Sequence, residues 1–214
     1  MIYIKNAKEI DAIRESCKIV AETLNLVKKE IRTGITTEDL DKLAEDHIRS
    51  RGGIPAFKGY RQVGTPPFPG TLCISINDIV VHGIPGSRTV MDGDLVSLDC
   101  GVKKNGYYGD AALSVYSGND ENIKKLMEVT EKSLYLGIEQ AVEGNRVHDI
   151  SYAVQKYVES NGFSVVRALC GHGVGKYLHE DPSIPNYGVK GTGKKLTDGM
   201  TLAIEPMVNM GKFE

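Results

Sequence analysis

The chain has 214 residues, 41% of them hydrophobic, and 26 basic against 28 acidic residues, for a net charge of −2. That balance, with no basic arm and no RNA-binding aromatic motif, argues against a nucleic-acid or anionic-membrane partner. No apolar run approaches the roughly 18 residues that cross a bilayer, Met1-Ile-Tyr-Ile-Lys-Asn6 lacks a signal-peptide core, and Cys17, Cys73, Cys100 and Cys170 form no Cys-x-x-Cys pair, so free, mostly buried thiols in a reducing cytoplasm are expected.

Apolar residues at Ile10, Ile13, Cys17, Val20, Ala21, Leu24 and Val27 keep helical spacing over Ala7–Glu30, up to a break at Gly34. Thr36 then caps a second helix, with Asp39 placed as in a capping box, and Gly52-Gly53 ends it. Three prolines and two glycines between Tyr60 and Gly70 predict an exposed loop. Val80-Val81-His82 reads as the end of an apolar strand, with His82 either a core histidine or a substrate contact. Leu95–Val102 and Tyr107–Tyr116 are β-rich and flank Asn105-Gly106, a hairpin signal. Glu121–Val142 reads as a helix that Gly144 breaks, and Val147–Ser160 as another closed by Asn161-Gly162. His47 and His148 fall on helices among charged residues and read as surface groups.

Two stretches echo each other. Val90–Asp99 and Leu196–Glu205 both run from an Asp-Gly turn through an apolar strand to a carboxylate, six residues after the glycine. Gly34 to Gly52 spans 18 positions, and so does Gly144 to Gly162. The strand echo has an offset of 106 and the helix echo one of 110, which predicts an internal duplication into two half-domains rather than a solenoid. The expectation is one α+β domain over 1–214, with halves of roughly 1–118 and 119–214, each two helices packed on antiparallel strands.

A two-residue turn at Asn105-Gly106 puts Lys104 opposite Tyr107 and Asp99 opposite Ala112, so Asp110 shares a face with Asp99. The two would be diagonal neighbours, roughly 7–8 Å apart at the backbone. Such a pair repels if buried, and a dication between them removes the problem. The alternative is two solvated or lysine-paired aspartates. His172 stands in Gly171-His-Gly-Val-Gly175, where glycines admit close approach of backbone or ligand, or merely serve turns. Glu205 ends the apolar run Leu202-Ala-Ile204 and is held extended by Pro206. A carboxylate there needs a partner. Together Asp99, Asp110, His172 and Glu205 read as a metal site, and this donor set suits divalent Mn, Fe, Co or Zn.

With Cys73-Ile-Ser-Ile-Asn-Asp78, Val81-His-Gly-Ile-Pro85, Gly109-Asp110, Gly171–Gly175, His179-Glu-Asp-Pro182 and Ile204-Glu-Pro-Met207, the chain resembles bacterial-class type I methionine aminopeptidases over essentially its whole length. The resemblance implies the pita-bread fold and removal of the initiator methionine from nascent proteins. It implies two divalent ions (Co, Mn, Fe or Zn), with Asp99 and Asp110 as chelators, Asp110 bridging, and His172 and Glu205 completing one site. His82 would contact the scissile amide, and His179 would steady the carbonyl oxygen. Tyr60, Phe68, Cys73 and Leu178 would form the pocket for the methionine side chain. The partner would be the N-terminal peptide of a nascent chain near the ribosome, met by a cytoplasmic monomer.

Three departures stand out. The family's second bridging glutamate, in a further strand, has no counterpart before Glu214; Ala111-Ala112 replaces a hydroxyl residue that supports the metals; and the loop from Tyr60 to Cys73 is longer. A truncated form, weakly active or inactive and less stable, is therefore expected. The alternatives are an Xaa-Pro peptidase, since prolidases share the fold and ligands, and a non-catalytic peptide-binding protein of the same fold.

Overall fold

The structure, a computed structural model, describes residues 2–61 and 64–213, so positions 62 and 63 of the expected Tyr60–Gly70 loop lie outside the described residues. The chain divides into two compact units. The first comprises Lys8–Asp120 with Gly175–Leu178, and the second Met1–Ala7, Glu121–Val174 and His179–Glu214.

In the first unit, α1 (Ala7–Glu30) and α2 (Thr37–Ser50) bury their apolar stripes on a sheet. Val20, Leu24 and Val27 of α1 and Leu40, Ala44 and Ile48 of α2 share a core with Leu72, Ile74, Val96, Leu98 and Val102. The capping box at α2 forms as the sequence predicts: Thr36 Oγ1 accepts from Asp39 N–H at 3.1 Å, and Thr36 N–H donates to Asp39 Oδ2 at 3.4 Å.

The sheet has four strands, β1 (Ile54–Pro55), β2 (Leu72–Ile76), β3 (Leu95–Lys104) and β4 (Tyr107–Tyr116). β3 is central, and all its partners run antiparallel to it. Asn105 at φ 52° and Gly106 at φ 84° make the two-residue turn, both left-handed as a primed hairpin turn requires. That turn fixes the register, Lys104 opposite Tyr107 and Asp99 opposite Ala112. Val96, Leu98, Cys100 and Val102 point into the core, and Ser97 and Asp99 alternate with them on the half-exposed face.

His82 does not end a strand. β2 stops at Ile76, the chain turns at Asn77 with φ 59°, and His82 is itself left-handed at φ 61° and exposed. Gly83 holds this loop against β2: it donates to Ser75 Oγ at 3.0 Å and accepts from Ile74 N–H at 2.9 Å. The apolar residues that mimic a strand, Ile79 and Val80, are 50% and 38% exposed.

In the second unit, α3 (Glu121–Gln140) packs on α4 (Val147–Ser160). Gly137 is needed there, since a Cβ on it would stand 3.0 Å from Val154 and 3.3 Å from Ile150. β6 (Cys170–Gly173) lies between β7 (Glu180–Pro185) and β8 (Leu202–Ala203), while β5 (Ser164–Val165) pairs with β9 (Val208–Asn209). The run to Glu205 is half-buried rather than fully buried, and only two of its residues join the ladder. Pro206 has no N–H to extend it.

Each unit ties the start of its second helix to the segment before an Asp-Gly turn. Gly34 N–H donates to Val90 O at 2.9 Å in one, and Gly144 N–H to Leu196 O at 3.2 Å in the other. Gly93 and Gly199 take φ of 80° and 85° in the two turns. Among the described residues no helix is long and apolar enough to cross a membrane.

The cap at α2 is testable. Thr36→Ala removes the hydroxyl that holds Asp39 N–H and should cost about 1 kcal/mol. The check is urea unfolding, with a lower midpoint at unchanged slope.

Candidate metal and peptide site

In the first unit the sheet register assembles half of the expected set. Asp99 of β3 stands opposite Ala112 of β4 and opposite Cys73 of β2, and Gly101 stands opposite Asp110. Asp99, Asp110 and Cys73 therefore share one face, with the carboxylates as diagonal neighbours. Both aspartates are half-buried. Two glycines make room beside Asp110: a Cβ on Gly101 would lie 2.5 Å from the Phe57 ring, and one on Gly109 would lie 2.6 Å from Cys17 N of α1. Burial, then the fields of Asp99 and Asp110, push the Cys73 thiol far above its ordinary range, so it stays neutral.

Tyr60 and Phe68 belong to the same unit and close their loop by paired backbone bonds, Phe68 N–H to Tyr60 O at 2.9 Å and Gly59 N–H to Phe68 O at 2.8 Å. Both are half-buried, whereas Leu178 is 3% exposed. His82 lies in the loop after β2.

The second unit gathers the histidines and the glutamate. His172 occupies the middle strand β6, opposite Ala203. The flanking glycines serve the ladder rather than a turn. A Cβ on Gly171 would fall 2.3 Å from Ala203 O, and one on Gly173 would fall 2.3 Å from Asp181 O. Only glycine lets the three backbones approach this closely. The His172 and His179 rings are 4.3 Å apart at their centroids and inclined by 61°, and His179 is exposed.

His172 Nδ1 lies 2.9 Å from Gly173 O. A carbonyl only accepts, so Nδ1 carries the hydrogen in this contact and Nε2 is left to face other groups. Nε2 stands 3.0 Å from Glu205 Oε1, a buried oxygen that accepts no hydrogen bond among the described residues. An imidazole nitrogen and a carboxylate oxygen at this distance hold a proton or a metal cation between them. Two ligand atoms each roughly 2 Å from one tetrahedral ion sit roughly 3 Å apart, so the observed spacing fits a shared metal.

Sequence reasoning missed one buried pair here. Glu180 is the first residue of β7, and its Oε2 is 2.5 Å from Lys5 Nζ. No local signal announced it, because the partners are 175 positions apart.

Two outcomes follow. Gly171→Ala drives its methyl into Ala203 O and should lower the melting temperature and weaken metal binding, read by calorimetry with Mn²⁺. Brief iodoacetamide treatment of the folded protein at pH 8 should label exposed Cys170 ahead of buried Cys73 and Cys100, whose raised thiol values leave little thiolate. Peptide mass mapping checks it.

Similarity to known proteins agrees with this chemistry. The metallopeptidase family M24 profile matches residues 11–213. The chain is 53% identical over 214 residues to a methionine aminopeptidase of Clostridium perfringens, covering 100% of this chain and 84% of that one. It is 51% identical over 212 residues to methionine aminopeptidase 1 of Bacillus subtilis, covering 99% and 84% respectively. The crystal structure of methionine aminopeptidase from Thermotoga maritima superimposes with a TM-score of 0.94 at 44% identity, covering 100% of this chain and 85% of that one. The fold is thus the α+β pita-bread fold. The chain belongs to metallopeptidase family M24, as an enzyme of the methionine aminopeptidase type.

Proposed function

We propose that this chain removes the N-terminal methionine from nascent proteins by hydrolysing their first peptide bond with two divalent ions. Asp99, Asp110, His172 and Glu205 would hold them, with Asp110 bridging. The observation that carries the reading is the His172 Nε2–Glu205 Oε1 approach at 3.0 Å, the spacing that two ligands of one metal ion take. Asp99 and Asp110, diagonal neighbours on one sheet face, add two carboxylates of the kind that bind divalent ions. When bound, divalent metal activates water and polarises the scissile carbonyl at neutral pH.

The chain's own residues supply the rest. His179 is exposed beside His172, and a ring N–H there would stabilise the charge that develops on the carbonyl oxygen. His82 would hold the scissile amide. Tyr60, Phe68, Cys73 and Leu178 would line the slot for the methionine side chain, and a neutral buried thiol suits a thioether neighbour. The working setting is the cytoplasm, near the ribosome, with the chain a monomer. Residues 1–214 would act as one catalytic domain that arose by duplication. The repeated offset between Gly34–Val90 and Gly144–Leu196 supports that history.

The test is release of methionine from Met-Ala-Ser during titration with Co²⁺ or Mn²⁺, beside an Ala-Pro peptide. Metal-dependent release from Met-Ala-Ser alone is expected. Asp110→Asn should reduce it by about 100-fold, since it removes a charged ligand. Cleavage of the Ala-Pro peptide instead would reassign the chain as an Xaa-Pro peptidase. A folded chain that binds Met-Ala-Ser without cleaving it would be a peptide-binding protein.

A further inference from the structure

We propose that Lys5 is a positioning residue for His179 and for the strand leading to Glu205, a reading that rests on the peptidase assignment above. The N-terminal segment lies alongside β7, with Ile2 bridged to Asp181. Lys5 makes two anchoring contacts from one residue. Its N–H donates to Gly199 O at 2.8 Å, and its ammonium meets Glu180 Oε2 at 2.5 Å. The first contact holds the turn from which the chain runs through Leu202–Ala203 to Glu205. It is close on both sides: Gly199 has φ 85°, and a Cβ there would stand 2.7 Å from Lys5 O. The second contact holds the residue that directly follows His179. Glu180 also stands opposite Gly173, the neighbour of His172 on β6. Lys5 thereby fastens the approaches to both outer strands of the β7–β6–β8 sheet, on either side of the strand that carries His172.

Both charged side chains are almost fully enclosed, with 4% of the Lys5 side chain and none of the Glu180 side chain exposed. An enclosed pair of this kind costs desolvation, and an apolar pair of similar volume stabilises a fold at least as well. What the charged pair offers and an apolar pair does not is a short, directed contact with one geometry. Its value therefore lies in where it holds His179, whose ring is exposed and is located by the backbone next to Glu180.

The experiment compares the wild-type chain, Lys5→Arg, Lys5→Met and the double variant Lys5→Met/Glu180→Leu, all loaded with Co²⁺. Three quantities are read: melting temperature, kcat and KM on Met-Ala-Ser, and the imidazole nitrogen NMR signals of the metal-free proteins. Lys5→Met alone removes the ammonium that faces enclosed Glu180 and loses stability. The double variant should recover the melting temperature yet keep a kcat lowered on the order of 10²-fold, as misplacement of a reacting group does. Its KM should stay within about twofold, because substrate binding is not the step affected. The His179 ring signal should shift or broaden while those of His47 and His148 stay in place. Lys5→Arg should restore much of kcat. A double variant with recovered melting temperature, wild-type kcat and an unchanged His179 signal would overturn the proposal and leave the pair a purely structural contact. If the wild-type chain does not cleave Met-Ala-Ser, the peptidase reading fails separately, and the His179 signal still decides the role of Lys5.

Discussion

Electron-rich groups placed side by side set the terms for this molecule. In one unit two carboxylates sit diagonally on a sheet face; in the other an imidazole nitrogen faces a carboxylate oxygen at 3.0 Å. Both arrangements gather groups of the kind that ligate divalent cations. A divalent cation held by such groups would supply the Lewis-acid chemistry of peptide hydrolysis.

The backbone pays for that placement with glycines. Gly171 and Gly173 let β6 lie against the carbonyls of Ala203 and Asp181, and Gly101 and Gly109 let Phe57 and α1 close in beside Asp110. In each case the missing Cβ faces another residue's backbone or ring at under 3 Å, so close packing beside the candidate ligands depends on glycine. Short antiparallel strands then carry the ligands on stiff elements, which suits a site whose geometry has to be held closely.

The helices serve this arrangement from behind. α1 and α2 bury one face of their sheet, so β3 presents its other face, with Asp99, half-exposed. A carboxylate at that position is neither dissolved in water nor sealed in the core. Cys73, one strand over, shows what deeper burial on the same face does: its thiol is held neutral.

Local chemistry was legible in the sequence because it depends on near neighbours. Helix periodicity gave α1, α2 and α4 their bounds, the Thr36–Asp39 spacing gave a cap, and Asn105-Gly106 dictated the register that puts Asp99 and Asp110 on one face. The apolar stretch before His82 misled, since apolar composition does not say whether a neighbouring strand exists to receive it; the chain instead turns at Asn77 and His82. The glycines around His172 were visible as a pattern, but their reason was not, because it lies in the carbonyls of strands that follow later in the chain. The His172–Glu205 approach and the Lys5–Glu180 contact were likewise invisible, the latter joining positions 175 residues apart. Sequence by itself determined the helices and the hairpin register. Only tertiary structure decided which side chains face each other and at what distance, because those depend on contacts between segments that no local spacing encodes.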